Sequence, residues 1–349
     1  MSAGVYLHIP FCKSRCSYCD FATDVYRGDA IVDRYVNALC AKIKGASTSI
    51  DTIYFGGGTP SLLTPAQVER ILTVVRAEFD VAPDTEVTME MNPATVTTDS
   101  LAAYRSLGVN RASFGVQTFN DRDLKLLARG HDATDARNTS QMLRAAGFDN
   151  VSFDLIAGLP GQSLADWERD LEEAIALSPE HISLYLLEIH SGTSLAEQVQ
   201  SGRRPIPDED LAATMYEVML DRLAGAGYDQ YEISNFARPG YESRHNSKYW
   251  RLAPVFGFGV SAHSFDGRER YANERDTARY VDLVEKEGSA EVMRETINLA
   301  SEAAFLGLRM ESGIDLAEFK TKFGIDLIAQ NLDDIERLSI AGLVEIADG

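Results

Sequence analysis

The chain has 349 residues, 45% of them hydrophobic and 25% charged, and a formal net charge of −20. That size and balance suit one large domain, or a large one with a small appendage, with ample material for a core. The acidic excess argues against nucleic acid or an anionic membrane surface as a partner. With no long apolar run and no basic apolar leader in view, the expected location is the cytoplasm.

Up to about residue 190, strand-like runs alternate with helical ones. Strands are expected over 5–9, 52–55, 86–91, 111–116, 151–156 and 181–189. Helical periodicity covers 30–44, 65–79, 100–107, 132–146 and 164–177, with Gly108, Gly147 and Pro179 at the stops. Such βα repeats predict a parallel sheet; an open doubly wound sheet and a partial barrel both fit. In either, ligands gather at the carboxyl ends of the strands. Those ends carry the unusual residues. The first strand runs into a cysteine-rich loop, the second into Gly56-Gly57-Gly58-Thr59-Pro60, and the third carries Glu90 before Asn92-Pro93. The fourth ends at Gln117, the fifth holds Asp154 before Gly158-Leu159-Pro160-Gly161, and the sixth ends near Glu188. A lone glycine triplet or strand-end carboxylate is ordinary turn or capping chemistry; their coincidence on one rim is what points to a ligand.

After residue 190 the pattern changes. A polar stretch and the break Arg203-Arg204-Pro205-Ile206-Pro207 precede a helix over 210–224 and a strand-like alternation over 228–236. Next comes His245-Asn246-Ser247-Lys248-Tyr249-Trp250, and then a mainly helical stretch over 276–349. The first of these strings sets one imidazole beside two aromatic faces, parts that haem binding needs and that ordinary core packing also uses. Cys40 occupies an apolar helical position and reads as a core residue.

Cys12, Cys16 and Cys19 form a C-x3-C-x2-C run after the first strand. Three thiolates so close in sequence can converge on a soft metal centre. A disulfide framework belongs to short secreted chains. Zinc with His8 as fourth ligand remains open, as does an iron–sulfur cluster with three irons held and the fourth free. The spacing favours the cluster, because structural zinc more often uses paired C-x2-C elements.

The cysteine run with Tyr18 before its last member, preceded by Tyr6-x-His8-x-Pro10-Phe11, resembles the radical S-adenosylmethionine (SAM) enzymes. Within them it is similar to the family of oxygen-independent coproporphyrinogen III oxidase and related haem chaperones. The likeness continues through GGGTP, MEMNP, SFGVQTF, LLARGHD and FDLIAGLPGQ, and so spans nearly the whole chain. It implies an α/β fold: a six-unit (β/α)6 partial TIM-type barrel, the radical SAM core, over 1–235. A haem- or porphyrin-binding extension would follow over 236–290, and a small, mainly helical, winged-helix-like domain over 291–349. Acidic Asp333, Asp334 and Glu336 speak against DNA as that last domain's partner. Family members continue beyond Ala347-Asp348-Gly349, so the wing is expected to be absent or truncated.

The resemblance also implies a [4Fe–4S] cluster on Cys12, Cys16 and Cys19, whose single electron cleaves SAM to a 5′-deoxyadenosyl radical. Gly57, Gly58 and Thr59 would meet the methionyl part of SAM, Arg129 and Glu90 its charged end, and Gln117 and Asp154 its ribose. Tyr6 and Tyr18 would also contact SAM, Tyr6 and His8 would lie beside the cluster, and His8 would be the catalytic candidate. Asp20-Phe21 stands where the oxidase has a further cysteine, the N-terminal arm is short, and the HNxxYW string is present. These features imply the haem-chaperone branch, with His245 (or His263) as haem ligand, haem as cargo, and haem enzymes such as membrane respiratory subunits as clients. The alternative is the oxidase itself, whose four-carboxylate substrate calls for cations such as Arg238, Arg244 and Arg251.

Overall fold

The computed structural model describes residues 2–45 and 47–347. Its first half alternates strands and helices as the periodicity predicts. The strands are β1 (Ala3–Ile9), the two-residue β2 (Phe11–Cys12) and β3 (Asp24–Val25), then β4 (Ser49–Gly57), β5 (Asp80–Met91), β6 (Arg111–Gln117), β7 (Val151–Ala157) and β8 (His181–Leu186). Helices α1 (Asp29–Lys42), α2 (Pro65–Glu78), α3 (Thr98–Ser106), α4 (Asp121–Leu126), α5 (Ala133–Ala145) and α6 (Leu164–Leu177) lie between them. Thr64, Thr97, Asp132 and Ser163 each close a reciprocal capping box at the start of α2, α3, α5 and α6, each cap contributing about 1 kcal/mol. All six expected strands are present. β5 begins earlier than expected because Asp80 and Val81 pair with Ser49 and Ile50 of β4. The short α4, capped by Asn120, escapes sequence periodicity.

The second half adds β9 (Asp229–Glu232), β10 (Asn235–Ala237), β11 (Val255–Phe258), β12 (His263–Phe265), β13 (Glu269–Asn273) and β14 (Glu291–Thr296). It also holds α7 (Ser194–Gln200), α8 (Glu209–Gly225), α9 (Arg244–Trp250), α10 (Thr277–Glu287), α11 (Leu299–Gly307), α12 (Leu316–Phe323), α13 (Leu327–Gln330) and α14 (Leu332–Ile340). The single alternation expected over 228–236 is a hairpin, β9 and β10. The HNxxYW string is the helix α9. No helix among the described residues is long and apolar enough to cross a membrane.

One sheet contains twelve strands in the order β14-β13-β12-β11-β1-β4-β5-β6-β7-β8-β10-β9. From β1 to β8 the neighbours follow chain order and run parallel. This is a singly wound arrangement, and it excludes the doubly wound alternative, whose strand order reverses midway. Within residues 236–290, β11 pairs parallel with β1 and carries β12 and β13 onto the same sheet.

Side-chain alternation explains the winding. One face presents Leu7, Phe55, Met89, Phe114, Phe153 and Ile182, which join Leu39, Ile71, Leu143 and Trp167 of the helices in one core. The other face presents Thr52, Glu86, Thr88, Arg111, Ser152 and His181, polar and yet buried. A parallel sheet covered by helices on both faces is apolar on both. Here the helices between the parallel strands cover one face, and the other, closed by the short α9 through Thr52 and Glu86, lines a polar interior.

The C-terminal helices dock through Arg309. Its Nε lies 2.5 Å from Oε2 of the wholly buried Glu232, and its guanidinium sits 4.4 Å from the Trp250 ring centre. Replacing Arg309 by Met strands that carboxylate, and should cost about 3 kcal/mol. The expected result is faster proteolysis beyond residue 296 in the variant; an unchanged cleavage pattern and melting temperature would contradict this anchoring.

Candidate functional site

A cavity of about 550 Å³ opens at the carboxyl ends of the parallel strands. The loop after β1 brings Cys12, Cys16, Tyr18 and Cys19 to it, and β4 brings Gly57 and Gly58. Glu90 comes from β5, Gln117 from β6, Asp154 from β7, and Arg129 from the turn after α4. Most of the residues expected on the rim therefore meet in one place.

The cysteine loop is tied down on several sides. The Ser17 N–H donates to Leu127 O and its Oγ to Leu126 O, both at 2.9 Å, while Leu195 N–H donates to Ser17 O at 2.7 Å. Tyr18 packs on the apolar cluster of Leu126, Leu127, Ile156, Leu159 and Leu195. The GGGTP turn closes under the loop, with Gly58 N–H donating to Ile9 O and Thr59 N–H to Phe11 O. Gly57 has φ +115°, and a Cβ there would lie 2.7 Å from His8 Nε2; one on Gly58 would lie 2.7 Å from Pro10 O. Only glycine allows this approach.

Arg129 joins the parts. Its guanidinium donates to Asn92 Oδ1, to Gly115 O (2.7 Å) and towards Cys16 Sγ (3.5 Å). Asn92 Nδ2 in turn donates to Thr59 Oγ1 at 2.8 Å, and Thr59 Oγ1 lies 3.6 Å from Cys12 Sγ. Asn92 was noted in the sequence at a strand end but given no role; here it links Arg129 to Thr59. Gln117 holds φ +68° beside a break in the β6–β7 register, which turns its side chain towards the cavity rim.

Two carboxyls face each other across the floor. Glu90 accepts from Tyr54 Oη and from the Gly57 N–H, both at 2.9 Å. Burial, reinforced by the nearby Asp154, raises its pKa to about 7. Burial also raises Asp154, against the pull of Arg111. The Cys12 thiol is pushed up to about 11, chiefly by burial, so without metal it is protonated and binding releases the proton.

Among the described residues no group of three or more His, Cys, Asp and Glu side chains is close enough to hold one metal ion. The zinc arrangement with His8 also fails on the histidine. His8 Nε2 contacts Ala22 O at 2.9 Å, its Nδ1 contacts Tyr6 Oη at 3.1 Å, and burial lowers its pKa to about 4. A four-iron cluster holds its cysteines further apart than one ion does, and three thiols on one cavity wall suit it. The buried Nε of Arg129 has no partner among the described residues, a donor left for an anionic group in the cavity.

Several expected residues lie elsewhere. Tyr6 and His8 are beneath the cavity and not on its lining, where they brace the strand end; the catalytic role expected for His8 has no access to a ligand. Thr59 sits behind Cys12. His245 is 1% exposed, with Nδ1 at 2.9 Å from Thr52 Oγ1 and Nε2 at 3.1 Å from Tyr249 Oη. It stacks on Tyr54 with ring centres 5.0 Å apart, and burial lowers its pKa to about 3. Both ring nitrogens are engaged, so the haem-ligand role has no room in this conformation. Glu86 accepts from the backbone N–H groups of Arg244 and His245 at 3.1 Å, fixing α9 across the amino ends of β4 and β5. Arg244 pairs there with Asp51 and Asp84, Arg238 lies over Tyr228, and neither they nor Arg251 reach the cavity.

Residues 6–174 match the Radical SAM superfamily and residues 296–349 the HemN C-terminal domain. The solved structure of coproporphyrinogen III oxidase (HemN) from Escherichia coli, a radical SAM enzyme, superposes with a TM-score of 0.85 at 25% identity, covering 99% of this chain and 85% of that one. The fold is thus that of the radical SAM class, in the form this oxidase takes. The heme chaperone HemW of Bacillus subtilis is 36% identical over 352 residues, covering 98% of this chain and 92% of its own length. That of Lactococcus lactis is 37% identical over 323 residues, covering 92% and 85%. The chain belongs to the HemW family.

The shifted Glu90 gives a sign that can be measured. Folded, it takes up a proton near pH 7, against 4.5 for an ordinary Glu. Between those values the folded chain holds a proton that the unfolded chain has lost, so this group's stabilising contribution falls as pH rises. The melting temperature of metal-free Glu90→Gln should therefore gain on wild type from pH 4.5 to pH 7; parallel curves would refute the shift.

Proposed function

We propose that this chain is a haem chaperone: a radical SAM protein that takes up haem and delivers it to haem-requiring enzymes in the cytoplasm, membrane respiratory subunits among them. In this reading Cys12, Cys16 and Cys19 hold a [4Fe–4S] cluster, residues 1–235 are its core, 236–290 the extension and 291–349 the C-terminal domain. The cluster, when bound, supplies the electron for SAM cleavage. The chain's own residues orient the ligand. Arg129 offers its unpartnered Nε to the SAM carboxylate, and Glu90, once ionised, accepts from the ammonium. Asp154 and Gln117 accept from the ribose hydroxyls, while the bare backbone at Gly57 and Gly58 admits the methionyl chain.

The charge of the cavity wall carries the choice between chaperone and oxidase. Asp20, Glu90, Asp154 and Glu188 line it, against the cations Arg15 and Arg129, and the second is already engaged. With Glu90 and Asp154 turned to SAM, the wall left for a second ligand has Asp20 and Glu188 against Arg15, so four carboxylates of a porphyrinogen would find no surplus of cations there. A cargo with two propionates and an iron asks for less.

The test loads the reconstituted protein with haem, mixes it with an apo-haemoprotein and follows transfer, and in parallel incubates it with coproporphyrinogen III, SAM and a reductant. Transfer without conversion of the porphyrinogen is expected. Conversion to protoporphyrinogen IX without transfer would replace the chaperone with the oxidase. In the same preparations, Cys16→Ala should lose cluster absorbance and SAM cleavage together; full iron content in that variant would remove Cys16 as a ligand.

A further inference from the structure

Of the arginines described, only Arg111 is buried, 1% exposed at the start of β6. Arg309 is matched by Glu232, and Arg129 by Asn92 and Gly115. Arg111 has no such match. Its Nε lacks a hydrogen-bond partner, and its guanidinium forms no ion pair among the described residues. Beside it in the β5–β6 ladder stands Thr88, whose Oγ1 is likewise unpartnered. A buried cation without a counter-ion costs stability, so packing alone does not account for it.

Its position supplies the account. Inward-facing residues recur at every second place along a strand. The next one after Arg111 is Ser113, which lies opposite Glu90 of β5 and donates to Asp154 Oδ1 at 3.4 Å. Arg111 therefore stands one step along β6, about 7 Å, beneath the two carboxyls of the cavity floor. Glu86, the other interior acid on β5, is taken by the backbone N–H groups of α9. Glu90 and Asp154 are the acids left for this cation to act on. The remaining groups that face them carry no charge that replaces it. Tyr6, Tyr54, Tyr185 and Tyr249, from β1, β4, β8 and α9, are phenols that desolvation holds neutral. His181 and His245 are neutral as well, chiefly through burial. Arg129 approaches from the turn after α4 and is engaged by Asn92, Gly115 and Cys16. At Asp154, Arg111 is the strongest of the influences that oppose burial.

We propose that Arg111 is the electrostatic positioning residue of the SAM site, a cation without partners whose field acts from beneath on Glu90 and Asp154. The role rests on the SAM-binding reading of this cavity and deepens it. The ammonium and ribose hydroxyls of SAM need acceptors, and an ionised carboxyl is acceptor only. Arg111 itself touches no ligand. It acts through charge across a low-dielectric interior, so a lysine serves in its place and a neutral side chain does not.

The experiment follows two readouts against pH in wild type, Arg111→Met and Arg111→Lys. The first is the infrared stretch of protonated carboxyls in the metal-free protein, assigned with Asp154→Asn and Glu90→Gln. The second is SAM affinity of the anaerobically reconstituted protein, measured by equilibrium dialysis. Without the cation both acids keep their protons to higher pH. In Arg111→Met the carboxyl titration and the rise of SAM affinity with pH should both move up by about one pH unit. SAM binding is then about tenfold weaker near pH 6 and close to wild type by about pH 9. Arg111→Lys should stay with wild type in both readouts. A folded Arg111→Met whose carboxyls titrate as in wild type, or whose SAM affinity falls equally at every pH, overturns the assignment. So does an upward shift in Arg111→Lys, which decides the matter even where Arg111→Met fails to fold. A wild type that binds no SAM, while its carboxyls still shift in Arg111→Met, overturns the SAM reading of the cavity and leaves the electrostatic link standing.

Discussion

A sheet face that is both polar and buried constrains everything else here. Thr52, Glu86, Thr88, Arg111, Ser152 and His181 cannot lie against the apolar side of a helix, and burying them without partners would cost about 1–3 kcal/mol each by mutational scales. The structure meets part of that demand with linked groups: Ser152 with His181 and Tyr231, Thr52 with His245 and Tyr249, and Tyr54 with Glu90 and the Gly57 N–H, while Thr88 Oγ1 and Arg111 Nε have no partner among the described residues. Helix α9 supplies the closing groups at the amino ends of the strands. At the carboxyl ends the polar face stays open, and the cysteine loop covers it. The cavity is the part of this interior that protein groups leave unfilled.

That division gives the HNxxYW string a different meaning from the one its composition suggests. In the seven-residue α9, His245 and Tyr249 are one turn apart and face the same way, so they enter the interior together. A histidine ligand for an exchangeable cargo has to be reached from outside. His245 is stacked on Tyr54, which binds Glu90 in the cavity floor, so this helix and the cavity share one run of side chains. Moving His245 to meet a ligand would disturb Glu90 as well.

Much of this was legible in the sequence where period and chemistry coincide. The six strands announced themselves by β-branched and aromatic runs, and the strand-end residues Gly57, Gly58, Glu90, Gln117 and Asp154 converge on the cavity as their positions imply. The order of the strands was not legible, because a βα repeat is equally consistent with single or double winding. Nor were Tyr54 and Ser113, ordinary strand residues until their neighbours are known. The depth of His8 and His245 also escaped: a histidine between apolar residues reads alike whether its nitrogens bond within the fold or wait for a ligand.

The central claim is that Cys12, Cys16 and Cys19 leave one iron of a four-iron cluster open to a cavity shaped for SAM. Electron paramagnetic resonance of the reduced, reconstituted protein, recorded with and without SAM, tests it most directly. The predicted result is a cluster signal whose g values shift when SAM is added, as an iron without a protein ligand would allow. A four-iron signal that SAM leaves unmoved would mean the cavity does not present that iron, and would contradict the account.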